Sequence, residues 1–325
     1  MIYYCWEFNP NLILKGQCQM NRQFLFVCIT RARKLLLPGN YSRLILFLLL
    51  ASNLSVLTAR ADGPTKNKVV FAVIGDSGTG KQDQIDLARV MEKFYEREPF
   101  DTVIMLGDNI YGDVSRKSLH QCFEKPYEKL LERGVGFYAT LGNHGNSLAE
   151  CEYKPFHMEG RHYYTFTQGK DLVQFFSLDS NQMDREQLGW LEKELAASKA
   201  RWKVAFFHHP IYSSGRTHGS DQKLRRLVEP IFIKYGVNVV FSGHDHLYER
   251  LKPQNGILYF VSGGASKVRK GNLNRSDPSM ASGNDETLHF MLVEAGPDSL
   301  HFRAIGANGE VIDEGKTESS EAVRK

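Results

Sequence analysis

Val69-Val70-Phe71-Ala72-Val73-Ile74-Gly75-Asp76-Ser77-Gly78 is an apolar, β-branched run broken by a tight Gly-Asp turn. A run of that length, bounded by turn residues, reads as a buried strand. The same design recurs along the chain. Thr102–Leu106 runs into Gly107-Asp108-Asn109-Ile110-Tyr111, and Gly136–Leu141 into Gly142-Asn143-His144. Lys203–Phe207 runs into His208-His209-Pro210, and Val237–Ser242 into Gly243-His244-Asp245-His246. Further strands are expected at Leu172–Leu178, Ile257–Ser262 and Leu288–Glu294. Amphipathic helical patterns lie between them at Gln82–Arg97, Lys117–Glu132, Asp184–Ser198 and Asp221–Lys234. Alternating strands and helices argue an α/β fold with buried sheets. The later strands lack long helices between them, which predicts an antiparallel portion toward the C-terminus.

The chain has 325 residues, 42% hydrophobic and 24% charged, so disorder, collagen-like repeats and coiled coil are poor readings. Its net charge of +4 is unevenly spread. Residues 1–61 hold seven Lys/Arg against one acid, Glu7, and the remainder holds 34 bases against 36 acids. A nucleic-acid partner or an anionic membrane surface therefore has no compositional support.

Residues 1–61 read as an export leader. Arg31, Arg33, Lys34 and Arg43 precede the apolar run Leu44–Leu57, and Ala59-Arg60-Ala61 is a small-x-small cleavage site. The apolar run is short for a bilayer span of about 20 residues, so stable membrane insertion after cleavage is not expected. An uncleaved anchor is the other reading. Residues 62–325 then form a single domain in a secreted or periplasmic protein. Within it, 264–285 is expected as an exposed loop and 315–325 as a frayed tail. Outside the leader only Cys122 and Cys151 remain. An even pair in an exported chain points to one intrachain disulfide, with two free buried thiols as the alternative.

In an open α/β sheet the binding crevice lies beyond the carboxyl ends of the strands. Five strand ends deliver Asp, Asn, Tyr or His to that rim. Singly, each is an ordinary turn; together they form the carboxylate, carboxamide and imidazole set that binds metal ions. A competing motif is Gly75 to Lys81, which matches the Gly-x-x-x-x-Gly-Lys of a phosphate-binding loop. Gln82 stands where that loop needs Ser or Thr, and Asn143, His208, His244 and His246 would be left without a role.

Gly-Asp-x-Gly, Gly-Asp-x-x-Tyr, Gly-Asn-His, a His two residues before Pro, and Gly-His-x-His, in that order, resemble the purple acid phosphatases. These are calcineurin-like metallophosphoesterases, and the short tartrate-resistant type is the closest in pattern. The resemblance implies a four-layer αββα sandwich. It implies a first metal on Asp76, Asp108, Tyr111 and His246. A second would sit on Asp108, Asn143, His208 and His244, with Asp108 shared and His208 rather than His209 as the ligand. Two carboxylates and a phenolate suit Fe(III) at the first site, and neutral donors suit a divalent Fe, Zn or Mn at the second. The implied activity is acid hydrolysis of phosphate monoesters on small phosphorylated substrates, by in-line attack of a metal-activated water. His144 and His218 are the implied proton donors. Alternatives are a phosphodiesterase or nucleotide-sugar hydrolase of the wider superfamily, or an inactive binding relative. One residue departs from the pattern: Gly145 stands where the family carries an acid after Gly-Asn-His, so an acid that orients His144 is expected to be missing.

Overall fold

The computed structural model describes residues 68–319, so the leader call at 1–61 lies outside the described residues. Every strand anticipated from the pattern is present. In chain order they are β1 (Val69–Ile74), β2 (Thr102–Met105), β3 (Gly136–Ala139), β5 (Val173–Ser177), β6 (Trp202–Phe207), β7 (Val239–Ser242), β9 (Leu258–Ser262) and β11 (His289–Ala295). Five more were not anticipated: β4 (Tyr164–Gln168), β8 (Tyr248–Leu251), β10 (Met280–Asn284), β12 (Ser299–Gly306) and β13 (Val311–Glu318). They join into two mixed sheets, ordered β13-β12-β11-β1-β2-β3 and β10-β8-β9-β7-β6-β5-β4. β1, β2 and β3 run parallel, as do β5, β6, β7 and β9. The C-terminal portion β11–β13 is antiparallel, as the missing helices predicted.

The sheets pack face to face. Phe71 of β1 lies edge-on to Phe175 of β5 at 4.9 Å and to Phe241 of β7 at 6.2 Å, and Phe260 of β9 meets Phe302 of β12 at 4.8 Å. Period-two alternation puts both faces of the central strands to use. In β6, Trp202, Val204 and Phe206 enter the core between the sheets, while Ala205 and Phe207 enter the core under the helices. Truncating a ring such as Phe71 to Ala would cost about 3–5 kcal/mol.

Helices cover the outer faces. α1 (Gln82–Arg97) buries Gln84, Leu87, Ala88, Met91 and Phe94, a single helical stripe, and Phe94 packs on Phe290 of β11 at 5.7 Å. The expected helix 117–132 is instead broken into α2 (Arg116–Leu119), a π-helical turn (His120–Glu124) and α3 (Glu128–Glu132). Pro126 has no N–H to continue the ladder, and Lys125 N reaches back five residues to His120 O at 2.9 Å. A short α4 (Ser147–Glu152) follows β3. On the second sheet, α5 (Arg185–Ala197) and α6 (Gln222–Tyr235) each start on an Asp cap, Asp184 and Asp221. The architecture is the four-layer α/β sandwich.

Three expectations are corrected. Cys122 and Cys151 are free buried thiols, not a disulfide. Cys122 lies in the π-helical turn against Gly80, and Cys151 Sγ donates to Arg161 O at 3.3 Å, so each sulfur is packed elsewhere. Segment 264–285 is not an exposed loop. Several of its polar side chains pair within it, as where Asp285 accepts from Leu273 N at 2.9 Å and pairs with Arg275 at 2.9 Å, and its end forms β10 on β8. Residues 315–318 are not a tail but the end of β13. Gly315 stands opposite Phe302, whose ring would lie 2.6 Å from a Cβ there, so glycine lets the aromatic close over the strand.

Candidate metal centre

At the carboxyl end of β1 and β2 the chain turns through left-handed residues. Asp76 has φ 55° and Asp108 φ 50°; His244, after β7, has φ 67°. Such conformations are uncommon outside glycine, are best tolerated by Asn, Asp and His, and cost of order 1–3 kcal/mol each. The turns are tied to one another. Asp76 N donates to Gly107 O at 3.1 Å, Gly78 N to Asp108 O at 3.1 Å and Tyr111 N to Gly78 O at 2.9 Å. Between the sheets, His244 N donates to Asp76 Oδ2 at 2.9 Å. The backbone thereby aims polar side chains from both sheets at one point.

They gather in two groups. Tyr111 Oη stands 3.4 Å from Asp76 Oδ1 and 3.2 Å from His246 Nε2, and His246 Nε2 stands 3.3 Å from Asp76 Oδ1. His208 Nε2 stands 2.9 Å from Asn143 Oδ1, 3.4 Å from Asp108 Oδ1 and 3.1 Å from His244 Nδ1. All seven residues singled out in the sequence as metal ligands are thus together, and Asp76, Asp108 and His208 are close enough to one another to link the two groups. Asp76, Asp108, His208 and His246 form a buried floor; Asn143 is exposed at the mouth.

The proton on the central histidine of the second group points away from the other donors. His208 Nδ1 lies 2.8 Å from Leu106 O, a carbonyl that can only accept, so the proton sits on Nδ1 and Nε2 is bare. That bare nitrogen confronts Asn143 Oδ1 and Asp108 Oδ1, both acceptors. Lone pairs converging in a buried space fit a cation. The separations agree, since donors about 2.1 Å from one ion, set at right angles to tetrahedral, lie about 3.0–3.4 Å apart.

Electrostatics points the same way. Burial and then the Asp108 charge hold the Asp76 carboxyl well above the usual carboxylate range. Burial, with Asp76 and Asp108 beside it, drives the Tyr111 phenol up as well. Burial pushes His208 well below the ordinary imidazole value, His244 down to about 2, and His246 down to about 4 with help from Arg269 and Lys267. Burial thus disfavours the charged forms of Asp76, Tyr111 and the three histidines, and a bound cation would reverse that for the carboxyl and the phenol.

The two histidines singled out as proton donors stand at the mouth, both exposed. The His144 ring lies 5.0 Å from that of Tyr111, and His144 N donates to Asp108 Oδ1 at 2.9 Å. The His218 ring lies 4.0 Å from that of His244, and its Nε2 stands 3.3 Å from Arg269 Nη1. A cavity of about 340 Å³, lined by His209, Pro210, Thr217, His218, Asp221 and His244, opens beside them.

Four residues near the cluster escaped the sequence reading. His209, set aside in favour of His208, lies 4.5 Å from the His244 ring with Nδ1 2.9 Å from Ser180 Oγ; its nitrogen is near enough to join His208 and His244 on one ion. Asp245, the middle residue of Gly-His-Asp-His, accepts from Ser213 Oγ at 2.6 Å and Gly219 N at 3.0 Å, anchoring the loop that carries His218. Arg269 comes from a segment read as a solvated loop and carries no local signal. Glu150 lies beneath the Asn143 loop, and only the tertiary fold brings it there.

Comparison with known proteins agrees with this geometry. The family model described as calcineurin-like phosphoesterase matches residues 69–248, which reach from β1 into β8. Tartrate-resistant acid phosphatase type 5 of Homo sapiens is 29% identical over 251 residues, covering 64% of this chain and 76% of its own. Purple acid phosphatase 17 of Arabidopsis thaliana is 28% identical over 250 residues, covering 66% and 72%. Among solved structures, purple acid phosphatase PPD1 from yellow lupin superposes with a TM-score of 0.65 at 16% identity, over 79% of this chain and 55% of its own. GAP50, titled the anchor in the inner membrane complex of Plasmodium, superposes with a TM-score of 0.68 at 22% identity, over 78% and 89%. Those two likenesses speak to the fold alone. The chain belongs to the calcineurin-like phosphoesterase family, on its purple acid phosphatase-like side.

Proposed function

We propose that the protein is an acid phosphomonoesterase working with two metal ions. Asp76, Asp108, Tyr111 and His246 hold a first, Fe(III), and Asp108, Asn143, His208 and His244 hold a second, divalent Fe, Zn or Mn. The observation that carries this reading is the convergence of donor atoms from both sheets in two adjoining groups beside Asp108. Ions bound there supply the Lewis acidity that ionises the attacking water and neutralises charge on the phosphoryl oxygens.

The protein's own side chains do the rest. Lys267 and Arg269, close enough to His246 to depress its basicity, set a positive field over the donors that draws in a phosphate group. Arg269 has only donors, so the His218 nitrogen facing it accepts. That orients His218 toward holding the substrate rather than giving up a proton. His144, exposed beside Tyr111, is the better-placed donor to the leaving oxygen. The leader read at 1–61 and the resemblance support a secreted or periplasmic location. Among the described residues no helix is long and apolar enough to cross a membrane.

The test is hydrolysis of p-nitrophenyl phosphate and of bis(p-nitrophenyl) phosphate by protein loaded with Fe(III) and a divalent ion, from pH 4 to 8. We expect monoester turnover that is fastest on the acid side, with the diester at least about 100-fold slower. No monoester turnover, or a preference for the diester, would overturn the reading.

A further inference from the structure

Glu150 stands on α4, directly under the loop that carries Asn143 and His144. Its side chain is buried, with 1% of the residue exposed. Oε2 accepts from Asn109 Nδ2 at 2.8 Å, and the same amide donates to Thr140 O at 2.8 Å. Asn109 is the residue after Asp108, and Thr140 enters the Gly142-Asn143-His144 loop. Glu150 N donates to Asn146 O at 2.9 Å, and Asn146 Oδ1 in turn caps α4 at Ala149 N, at 3.0 Å. Two turns that bear donor atoms are therefore stitched through one carboxyl group.

The other oxygen, Oε1, is buried with no hydrogen-bond partner. It faces Gly145, whose φ is +91°, and a Cβ on Gly145 would come within 2.0 Å of it. No side chain fits at 145 while Glu150 is in place. Position 145 is also where the resemblance leads one to expect an acid, and a carboxyl group from 150 lies in that side-chain space. Burial pushes this carboxyl up to about 7, with the Asn109 hydrogen bond opposing.

We propose that Glu150 is a positioning residue that fastens the Asn143–His144 loop to the Asp108–Asn109 turn, its carboxyl occupying the space that a side chain at 145 would take. Glu150 touches none of the donor atoms; it acts through Asn109 and the loop backbone. The clamp stands on geometry alone, while its effect on metal binding and turnover rests on the function proposed above.

The experiment uses the full mature chain with Glu150→Ala, Glu150→Gln, Gly145→Asp and the double variant Gly145→Asp/Glu150→Ala. Amide hydrogen exchange over 142–146 is read first, on metal-free protein. We expect Glu150→Ala to speed exchange there about tenfold and Glu150→Gln, which can still accept from Asn109, to leave it near wild type. Divalent-ion affinity should fall about 10–100-fold in Glu150→Ala and little in Glu150→Gln. Gly145→Asp alone should be impaired both by its φ of +91° and by the clash with Glu150, and the double variant should be less impaired than Gly145→Asp because the clash is gone. Unchanged exchange in Glu150→Ala, equal effects of Ala and Gln, or a double variant no better than Gly145→Asp would overturn the clamp. Faster exchange with unchanged ion affinity would overturn its positioning role. A wild type without phosphatase activity would sink the proposed function but leave the exchange result decisive. Should Glu150→Ala fail to fold, Glu150→Gln and the double variant carry the comparison.

Discussion

The two halves of the donor cluster differ in charge more than in geometry. On one side Asp76 and Tyr111, with His246, offer two groups that ionise to anions; on the other Asn143, His208 and His244 are neutral. Both halves pack their donors about as closely, and both draw on the two sheets. The anionic half is built on the buried Asp76, with its carboxyl and the Tyr111 phenol both pushed up by burial and by neighbouring carboxylates, whereas the neutral half reaches the exposed mouth through Asn143. A more highly charged ion therefore gains most from the first half, and a divalent ion suffices for the second. The difference separates affinity from access: a deep, anionic seat for an ion that stays, and an open, neutral one beside the substrate.

The strongest way to break this contrast is Asp76→Asn. Turnover should fall about 1,000-fold or more with loss of the first ion. In metal-free protein at pH 7 the same change should raise Tm, because it removes a buried carboxyl held high by burial and by Asp108. Activity assays and a thermal melt on one preparation check both signs, and an unchanged or lowered Tm would show that the carboxyl is not strained there.

A pair of single changes sharpens the comparison. His244→Ala should cost about 100-fold in rate by weakening the divalent ion while keeping any visible absorption band. Tyr111→Phe should abolish that band at a cost of about tenfold or less in rate. Visible spectra beside metal analysis separate them, and a band lost in both variants would mean the halves are not independent.

The smallest expected effect concerns His289, a buried imidazole that serves as the control. It sits 3.1 Å from Ser262 Oγ, and burial depresses it to about 4. Its folded value lies below its unfolded value near 6.5, so unfolding takes up a proton below that pH. Stability is full above about pH 6.5 and falls as the pH drops toward 4, by up to about 3 kcal/mol. His289→Gln should flatten that part of the Tm–pH curve without touching the donor cluster, and an unchanged slope would show that this imidazole is not the group that titrates.

The legible parts were those where one residue type answers to one physical demand. Apolar runs closed by Gly-Asp, Gly-Asn-His or His-x-Pro announced the strands and the polar rim at once, because buried parallel strands need unbroken hydrophobicity and their carboxyl ends need tight turns. The edge strands β4 and β10, and β8 beside β10, were missed because Tyr164–Gln168, Met280–Asn284 and Tyr248–Leu251 mix polar residues into a face that only neighbours make apolar. The helix over 117–132 misled because its amphipathic stripe outweighed Pro126. The Cys122–Cys151 disulfide misled because even counting says nothing of where each sulfur packs.

The sequence by itself pointed to the α/β class, to eight of the strands and to seven candidate donor residues, since each is written locally in a run and the turn that ends it. Only the tertiary structure decided the order of the strands within the two sheets, that donors from both sheets meet beside Asp108, and that Arg269 stands over His218. Those relations join residues far apart in the chain, and packing of one sheet on the other, not any local propensity, fixes the distances between them.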